Sequence, residues 1–436
     1  MKDEGLIRAV GVRGLTAGIV NYTIGAGIFV LPALVAGKVG AAAPIVYVIC
    51  AVAMGLIALC FADAGSRVSL SGGVYAYAGV AFGSYIGFMV AVSMWISMII
   101  ASAAVAIIFL DSLAQISPAL GSTAVRSTII VVLYSILALI NVRGVKLGSG
   151  TVQTVTLAKL VPIFVLVAFG VFAIRTANLN WPGMPSGSDI SRASVILIFA
   201  FMGVESALAP SGEFKDCART VPRAIFYALF FVTLLYIAIQ VVAQGILGAE
   251  LATNTKAPLA EAAKRVLGRG GELLVLLGAA ISTVGYVTGD MLAGPRMPYA
   301  LARDGLLPGI LSSVHERYRT PNVAIVLHAV LCAALALTGT FSYLAVLVVL
   351  LTLIVYLACC LATIQLQRRD VRADGGTPLH LPAGPLIPIL ASLVIVWLMS
   401  SSTAKEFYAL AAMLAVSTVV YLVMRFLRRP VVAPAT

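Results

Sequence analysis

About a dozen stretches of roughly 20 or more mostly apolar residues run through this chain, and each is long enough to cross a bilayer. They lie near 14–37, 41–65, 80–111, 122–142, 149–174, 191–211, 222–248, 272–300, 321–340, 342–367, 384–402 and 404–427. Hydrocarbon offers no partner to a backbone N–H or C=O, so a spanning segment must be a helix or part of a closed barrel. Runs this long exceed a barrel strand, so an all-α membrane protein with about twelve transmembrane helices is expected. The composition agrees, with 61% hydrophobic and 11% charged residues, against roughly 25% charged in soluble domains.

The net charge of +12 would suggest a nucleic-acid partner in a soluble protein. Here the Lys and Arg residues sit in short connections, where they set topology instead. With the N-terminus inside, about 19 of them (among them Arg13, Arg67, Arg143, Lys215, Arg303 and Arg368) fall on the cytoplasmic side and about 9 on the other. Both termini are therefore expected in the cytoplasm. The discordant connection, 249–271, is long enough for a small extracellular helix and carries Glu250, Glu261 and Glu272 as partial balance. Lys2, Arg8 and Arg13 flank the first apolar run without a small-residue cleavage site, so that run is expected to stay as a span. Cys50, Cys60, Cys332, Cys359 and Cys360 fall within spans and Cys217 in a loop, with no C-x-x-C, so neither disulfides nor a structural metal is expected. No cofactor motif is visible, nor any sign of an obligate protein partner; the expected partners are the lipid bilayer and a small-molecule substrate.

Two spans carry the marks of a break. The first holds Thr23-Ile24-Gly25-Ala26-Gly27-Ile28-Phe29 followed by Pro32, and the sixth holds Phe199-Ala200-Phe201-Met202-Gly203-Val204-Glu205. Interrupted helices in matching positions of two halves point to the binding site of an inverted-repeat transporter. Such breaks suit an amino acid. Its two charges cannot be buried unpaired, and a broken helix presents free N–H groups to a carboxylate and free carbonyls to an ammonium. The amides near Gly25, Ala26 and Gly27 are expected to take the carboxylate, and carbonyls near Thr23, Phe199 and Met202 the ammonium. Gly203 supplies backbone freedom in the second break, and Phe199 and Phe201 are large enough to cover the substrate. Ser97, Met98 and Ser102 in the third span, with Val346–Val349 in the tenth, suggest a small and largely apolar lining.

An ionisable residue inside the membrane is a functional candidate, and three stand out: Lys159, Glu205 and Asp290. Lys159 lies roughly 15 Å from the end of its span at 1.5 Å per residue, too deep to snorkel easily. Glu205 opens the second half of the sixth span, where a carboxylate is favoured either as a structural cap or as a proton-sensitive group.

In order and spacing the chain resembles the amino acid–polyamine–organocation superfamily, and within it the bacterial amino acid permeases. The resemblance rests on Gly25-Ala26-Gly27-Ile28-Phe29 with Pro32, Ser71-Gly72-Gly73-Val74-Tyr75, and Asn141-Val142-Arg143-Gly144-Val145-Lys146 with Gln153 and Lys159. It continues through Phe199–Glu205, Gly212-Glu213-Phe214-Lys215-Asp216 with Val221-Pro222-Arg223, Arg296 with Ala302-Arg303-Asp304-Gly305, and Thr320-Pro321. It implies a five-plus-five inverted-repeat core over residues 1–367, two appended helices over 368–436, and alternating access in a bacterial plasma membrane. Lys159 stands where sodium-coupled relatives hold their cation, which implies a sodium-independent carrier, proton-coupled or exchanging. Glu205 matches the proton-sensitive position of the arginine–agmatine exchangers. Asp63 replaces a frequent Glu, and Asp290 stands where relatives carry Ser, Thr or Trp. Alignment turns Asp290 toward spans one and five, and each buried charge alone is costly, so a Lys159–Asp290 pair is expected, with a counter-ion for a cationic substrate or a solvated vestibule residue as the alternatives. A carrier of polyamines or cationic amino acids on the same fold is the alternative. A membrane enzyme or receptor is disfavoured because no catalytic constellation or soluble domain is visible.

Overall fold

A computed structural model describes residues 10–68, 73–144, 149–181, 183–208, 217–372, 378–379, 381 and 384–427, with the backbone alone for 149–158, 206 and 217–218. Ser71, Gly72, Val145, Lys146, Gly212–Asp216, the Gln153 side chain, Lys2, Arg8, Arg428 and Arg429 lie outside that description.

The architecture is all-helical. Helix α1 (Val12–Thr23) is followed by a short 3₁₀ turn (Ala26–Phe29) and α2 (Leu31–Val39), whose first turn holds Pro32, where its missing N–H costs nothing. Then come α3 (Ala43–Arg67), α4 (Val74–Phe82), α5 (Ser84–Ile116), α6 (Thr123–Val142) and α7 (Ser149–Gly170). Helix α8 (Gly187–Phe201) is capped by the Ser186 hydroxyl, which accepts from Asp189 N–H at 3.1 Å. It is followed by α9 (Val204–Leu208), α10 (Cys217–Leu247), α11 (Pro258–Ala293) and α12 (Arg296–Arg303). The chain closes with α13 (Asn322–Thr338), α14 (Phe341–Arg368), α15 (Leu386–Ser400) and α16 (Ala404–Leu427). Cys217 opens a helix rather than sitting in a loop. The connection 249–271 holds a short helical stretch that starts at Pro258 and ends at a kink at Gly268 (φ 66°), beyond which α11 continues.

Among the described residues, seven helical stretches are long and apolar enough to cross a membrane, with further short apolar helices over 159–173, 322–338 and 386–400. α5 and α14 form the buried centre and pack on each other, whereas α6 and α16 present rows such as Val131, Val132, Ile136 and Val416, Val419, Leu422 outward. Outward apolar rows suit a lipid surround, and so does the device that draws the helices together: small residues where backbones cross. A Cβ on Gly87 would sit 3.1 Å from the Gly79 Cα, and one on Gly278 would sit 2.4 Å from the Pro162 ring, so α4–α5 and α7–α11 meet at glycines. α15 packs on α3, α8 and α14, and Arg192 of α8 holds Glu406 of α16 through a two-point ion pair of 2.8 and 2.6 Å.

Candidate functional site

Both marked sequences are breaks, and they meet. α1 stops at Thr23; Ile24 (ψ 87°) and Gly25 (φ −101°, ψ −169°) run extended before the 3₁₀ turn. The first N–H groups of a helical turn have no acceptor within it, which leaves the amides of Ala26 and Gly27 facing the interruption. α8 stops at Phe201, and Met202 (ψ 152°) and Gly203 (φ 111°) lead into α9. Gly203 has the left-handed geometry that glycine tolerates, and a Cβ there would lie 2.6 Å from the Tyr22 carbonyl oxygen. One break therefore rests on the last peptide of the other. A Cβ on Gly27 would fall 2.8 Å from the Phe199 ring, so Phe199 covers the first break from the second, and it meets Phe341 of α14 edge-on at 5.7 Å.

Side chains from three other helices hold these ends. The Tyr236 hydroxyl of α10 donates to the carbonyls of Thr23 (3.0 Å) and Ala200 (3.1 Å), sharing one proton between the two breaks. Lys159 of α7 donates through Nζ to the Asn21 carbonyl at 2.8 Å, a cation at the C-terminal end of α1 where the helix dipole favours it. The Glu205 carboxylate reaches back to Gly203 N–H (3.0 and 2.9 Å) and accepts the Tyr356 hydroxyl of α14 at 2.7 Å. That contact makes Glu205 a cap that fixes the second break. Among the described residues, a Cβ added at Gly25 would meet no atom within 4 Å, and the buried Thr23 hydroxyl has no hydrogen-bond partner. Space and unused polarity thus lie together at the first break.

The remaining expected residues make contacts of their own. Phe201 is fully buried with its ring against Tyr236 at 5.4 Å, whereas Phe199 meets Phe341. Ser97 turns its hydroxyl back to Met94 O (2.7 Å), Met98 is half-buried, and Ser102 bonds Tyr134 of α6 at 3.1 Å. Asp63 is held by Arg67 (2.6 Å) and Gln367 (2.5 Å) between α3 and α14.

The Lys159–Asp290 pair does not form. Lys159 is used by the end of α1, while Asp290 of α11 bonds His328 of α13 at 2.9 Å, and His328 accepts from Trp95 Nε1 of α5 at 3.1 Å. The physical reason is that a neutral imidazole can satisfy a buried carboxylate oxygen without a second buried charge. His328 was missed although the signal was plain: a lone ionisable residue inside an apolar helix. A polar cleft of about 450 Å³ between Gln115, Leu247, Glu250, Asn254, Lys256 and Glu261 is set apart from the breaks, and its Glu250 is neutralised by Arg265.

Comparison with known proteins gives the family. The family model described as amino acid permease matches residues 10–424. The chain is 28% identical to the methylthioribose transporter of Bacillus subtilis (strain 168), over 96% of this chain and 94% of that one. It is 28% identical to the branched-chain amino acid permease BcaP of the same organism, over 91% and 88% respectively. It is 29% identical to that organism's serine/threonine exchanger SteT, over 89% and 90%. An all-helical bundle rich in apolar helices, two helix breaks in contact and a family match over nearly the whole length lead to one conclusion: this chain is an integral membrane transporter, not an enzyme, and belongs to the amino acid permease family.

Proposed function

We propose that the protein carries amino acids across a bacterial plasma membrane by alternating access, with the substrate's carboxylate and ammonium held by the ends of the two broken helices. The observation that carries this reading is the contact between the breaks, Gly203 on the Tyr22 peptide and Phe199 on Gly27. Free amides at Ala26 and Gly27 then lie near carbonyls at the ends of α1 and α8, and a zwitterion needs both. Gly25, Thr23 and Met202 complete the backbone set, with Phe199 as the cover and Phe201 behind it. Ser97, Met98 and Ser102 are assigned to the wider lining.

The reading includes twelve spans, a five-plus-five inverted repeat in residues 1–367 with α15 and α16 appended, and both termini in the cytoplasm. Transport is independent of sodium, because the ammonium of Lys159 already occupies the carbonyl end of α1. Coupling to protons or to a counter-substrate falls to Lys159, Glu205 and Asp290. Relatives named for branched-chain amino acids and for serine and threonine support a neutral substrate of small or medium size. The polyamine or cationic-substrate alternative needs a carboxylate free to face the substrate. Asp290 is turned to His328, and Glu205 to Gly203 and Tyr356.

Uptake into proteoliposomes of a panel of labelled amino acids tests the proposal, with polyamines and methylthioribose included. It should be run with and without a pH gradient, sodium and internal exchange substrate. Saturable, sodium-independent uptake of neutral amino acids is expected. Uptake of polyamines or methylthioribose alone would overturn the substrate class, and a sodium requirement would overturn the role of Lys159.

A further inference from the structure

The polar cluster on α5, α11 and α13 lies outside the two breaks. Its hydrogen bonds have a fixed polarity. An indole N–H can only donate, so His328 Nδ1, 3.1 Å from Trp95 Nε1, is an acceptor. The imidazole proton therefore sits on Nε2, which donates to Asp290 Oδ2 at 2.9 Å. His328 is fully buried, the Asp290 side chain is 2% exposed, and Asp290 Oδ1 is buried with no hydrogen-bond partner among the described residues.

Two other ways of satisfying this carboxylate conflict with Trp95. A proton added to His328 would go to Nδ1 and oppose the indole N–H. A metal ion fits no better, although Asp290, His328 and Cys332 bring their ligand atoms within 4.8 Å of one another. A metal on Nε2 would move the imidazole proton to Nδ1, and metal-bound histidines use that second nitrogen as a donor. Trp95 blocks that donation too.

Among the described residues, no Lys or Arg is bonded to Asp290. The ionisable groups that face Asp290 are His328 and Cys332 on α13, Tyr134 on α6 and Tyr286 on α11 itself. From the other helices packed on α11, Lys159 turns to Asn21, Arg296 turns to the Leu292 carbonyl, and Arg219 and Arg223 of α10 are exposed. α5 contributes the neutral Trp95 and Ser102. A buried carboxylate without a cation is expensive, and it escapes the cost by becoming neutral.

The geometry points to Asp290 Oδ1 as a proton-binding site, with His328 as the positioning residue that occupies Oδ2 and Trp95 as the lock on the His328 tautomer. One proton from a hydronium ion forms an O–H bond at Oδ1 and a water molecule is released, so the cluster passes from one negative charge to none. α11 also packs against the Ala26–Phe29 turn and against α7, which carries Lys159, so the same helix carries the charge change to the first break. The assignment deepens the coupling role given to Asp290 above and rests on the transport reading for its purpose, but proton binding is measurable without any substrate.

Infrared difference spectra of the reconstituted full chain between alkaline and acidic buffer, with no substrate present, test it. A protonated-carboxyl band should grow on acidification and vanish in Asp290→Asn. In Trp95→Phe, which keeps both partners, the freed Nδ1 should take the proton, so the carboxyl band weakens and an imidazolium signal replaces it in spectra of ¹⁵N-histidine protein. The wild type should show no His328 imidazolium. Trp95→Phe alone decides the matter where Asp290→Asn does not fold. A wild-type spectrum without the band, a band that survives Asp290→Asn, an imidazolium at His328 in the wild type, or zinc-dependent stabilisation lost in Cys332→Ala would each overturn the assignment. If amino acid uptake fails while the band behaves as described, the proton site stands and only the substrate class falls.

Discussion

The helix breaks and the α5–α11–α13 cluster solve the same problem, polar atoms inside an apolar bundle, by opposite means. At the breaks the polar atoms are backbone ends, and Tyr236, Lys159 and the Glu205–Tyr356 pair each hold one of them while the amides of Ala26 and Gly27 stay open. In the cluster the polar atoms are side chains lined up as Trp95, His328 and Asp290, and the chain of donors ends on one orphan oxygen. Backbone ends suit a ligand that must be gripped and released, because their geometry changes when the helices move. A side-chain relay suits a ligand as small as a proton, which needs a single lone pair. Substitutions at the breaks should therefore alter substrate recognition, and substitutions in the cluster should alter the response to pH.

The largest effect should come from Gly203→Ala. The added methyl meets the Tyr22 carbonyl at 2.6 Å, and a φ of 111° is strained for alanine, a cost of about 1–3 kcal/mol before the clash is counted. Thermal unfolding in detergent should fall sharply, and uptake should be lost. Near-normal stability would show that the two breaks do not touch as described. Tyr356→Phe comes next. It removes the hydroxyl from Glu205 and leaves a buried carboxylate oxygen with less than its full set of donors, worth about 1–3 kcal/mol. Glu205→Gln separates the two roles of that residue. It still offers an oxygen to Gly203 N–H, so a structural cap predicts stability and uptake close to wild type. Loss of uptake at unchanged stability is the outcome expected of the coupling role proposed above, and wild-type uptake would leave Glu205 a cap alone.

Smaller effects test individual contacts. Gly27→Ala should push the Phe199 ring aside at about 1–3 kcal/mol, as overpacking does, and Phe199→Leu should restore part of the lost uptake. Failure of that rescue, with both single variants folded, would remove Phe199 from its place over the first break. Ser97→Ala should be the mildest change, because that hydroxyl only returns to its own helix at Met94. A tenfold loss of uptake there would mean that Ser97 contacts substrate directly.

The contrast between the two regions also explains what could be read from the chain. Helix breaks are written locally, in Gly25-Ala26-Gly27 with Pro32 and in Met202-Gly203, because glycine dihedrals and the missing proline N–H act where those residues stand. Apolar run length marked the helices for the same reason. Pairing between distant helices is not written locally. Lys159 and Asp290 are opposite charges on helices that pack together, and charge together with the facing that the resemblance implies for Asp290 matched them. The rotation of α11 and α13 instead brings Asp290 to His328, and Gly294 makes room for that ring, since a Cβ there would lie 2.4 Å from His328 Cε1. The reach of Tyr356 and Tyr236 to the second break depends on helix packing in the same way, and no spacing in the sequence announces it.

The central claim is that backbone ends of two touching breaks bind both charges of one amino acid. Competition against a labelled substrate by its decarboxylated amine and by its deaminated acid, in purified transporter, tests it most directly. Each analogue keeps the side chain and loses one charge, and leaves the site's buried polar groups at one break unpaired. Both should compete at least about a hundredfold more weakly than the amino acid, a difference of about 2.7 kcal/mol. If either analogue competes as well as the amino acid itself, one of the two breaks is not part of the binding site.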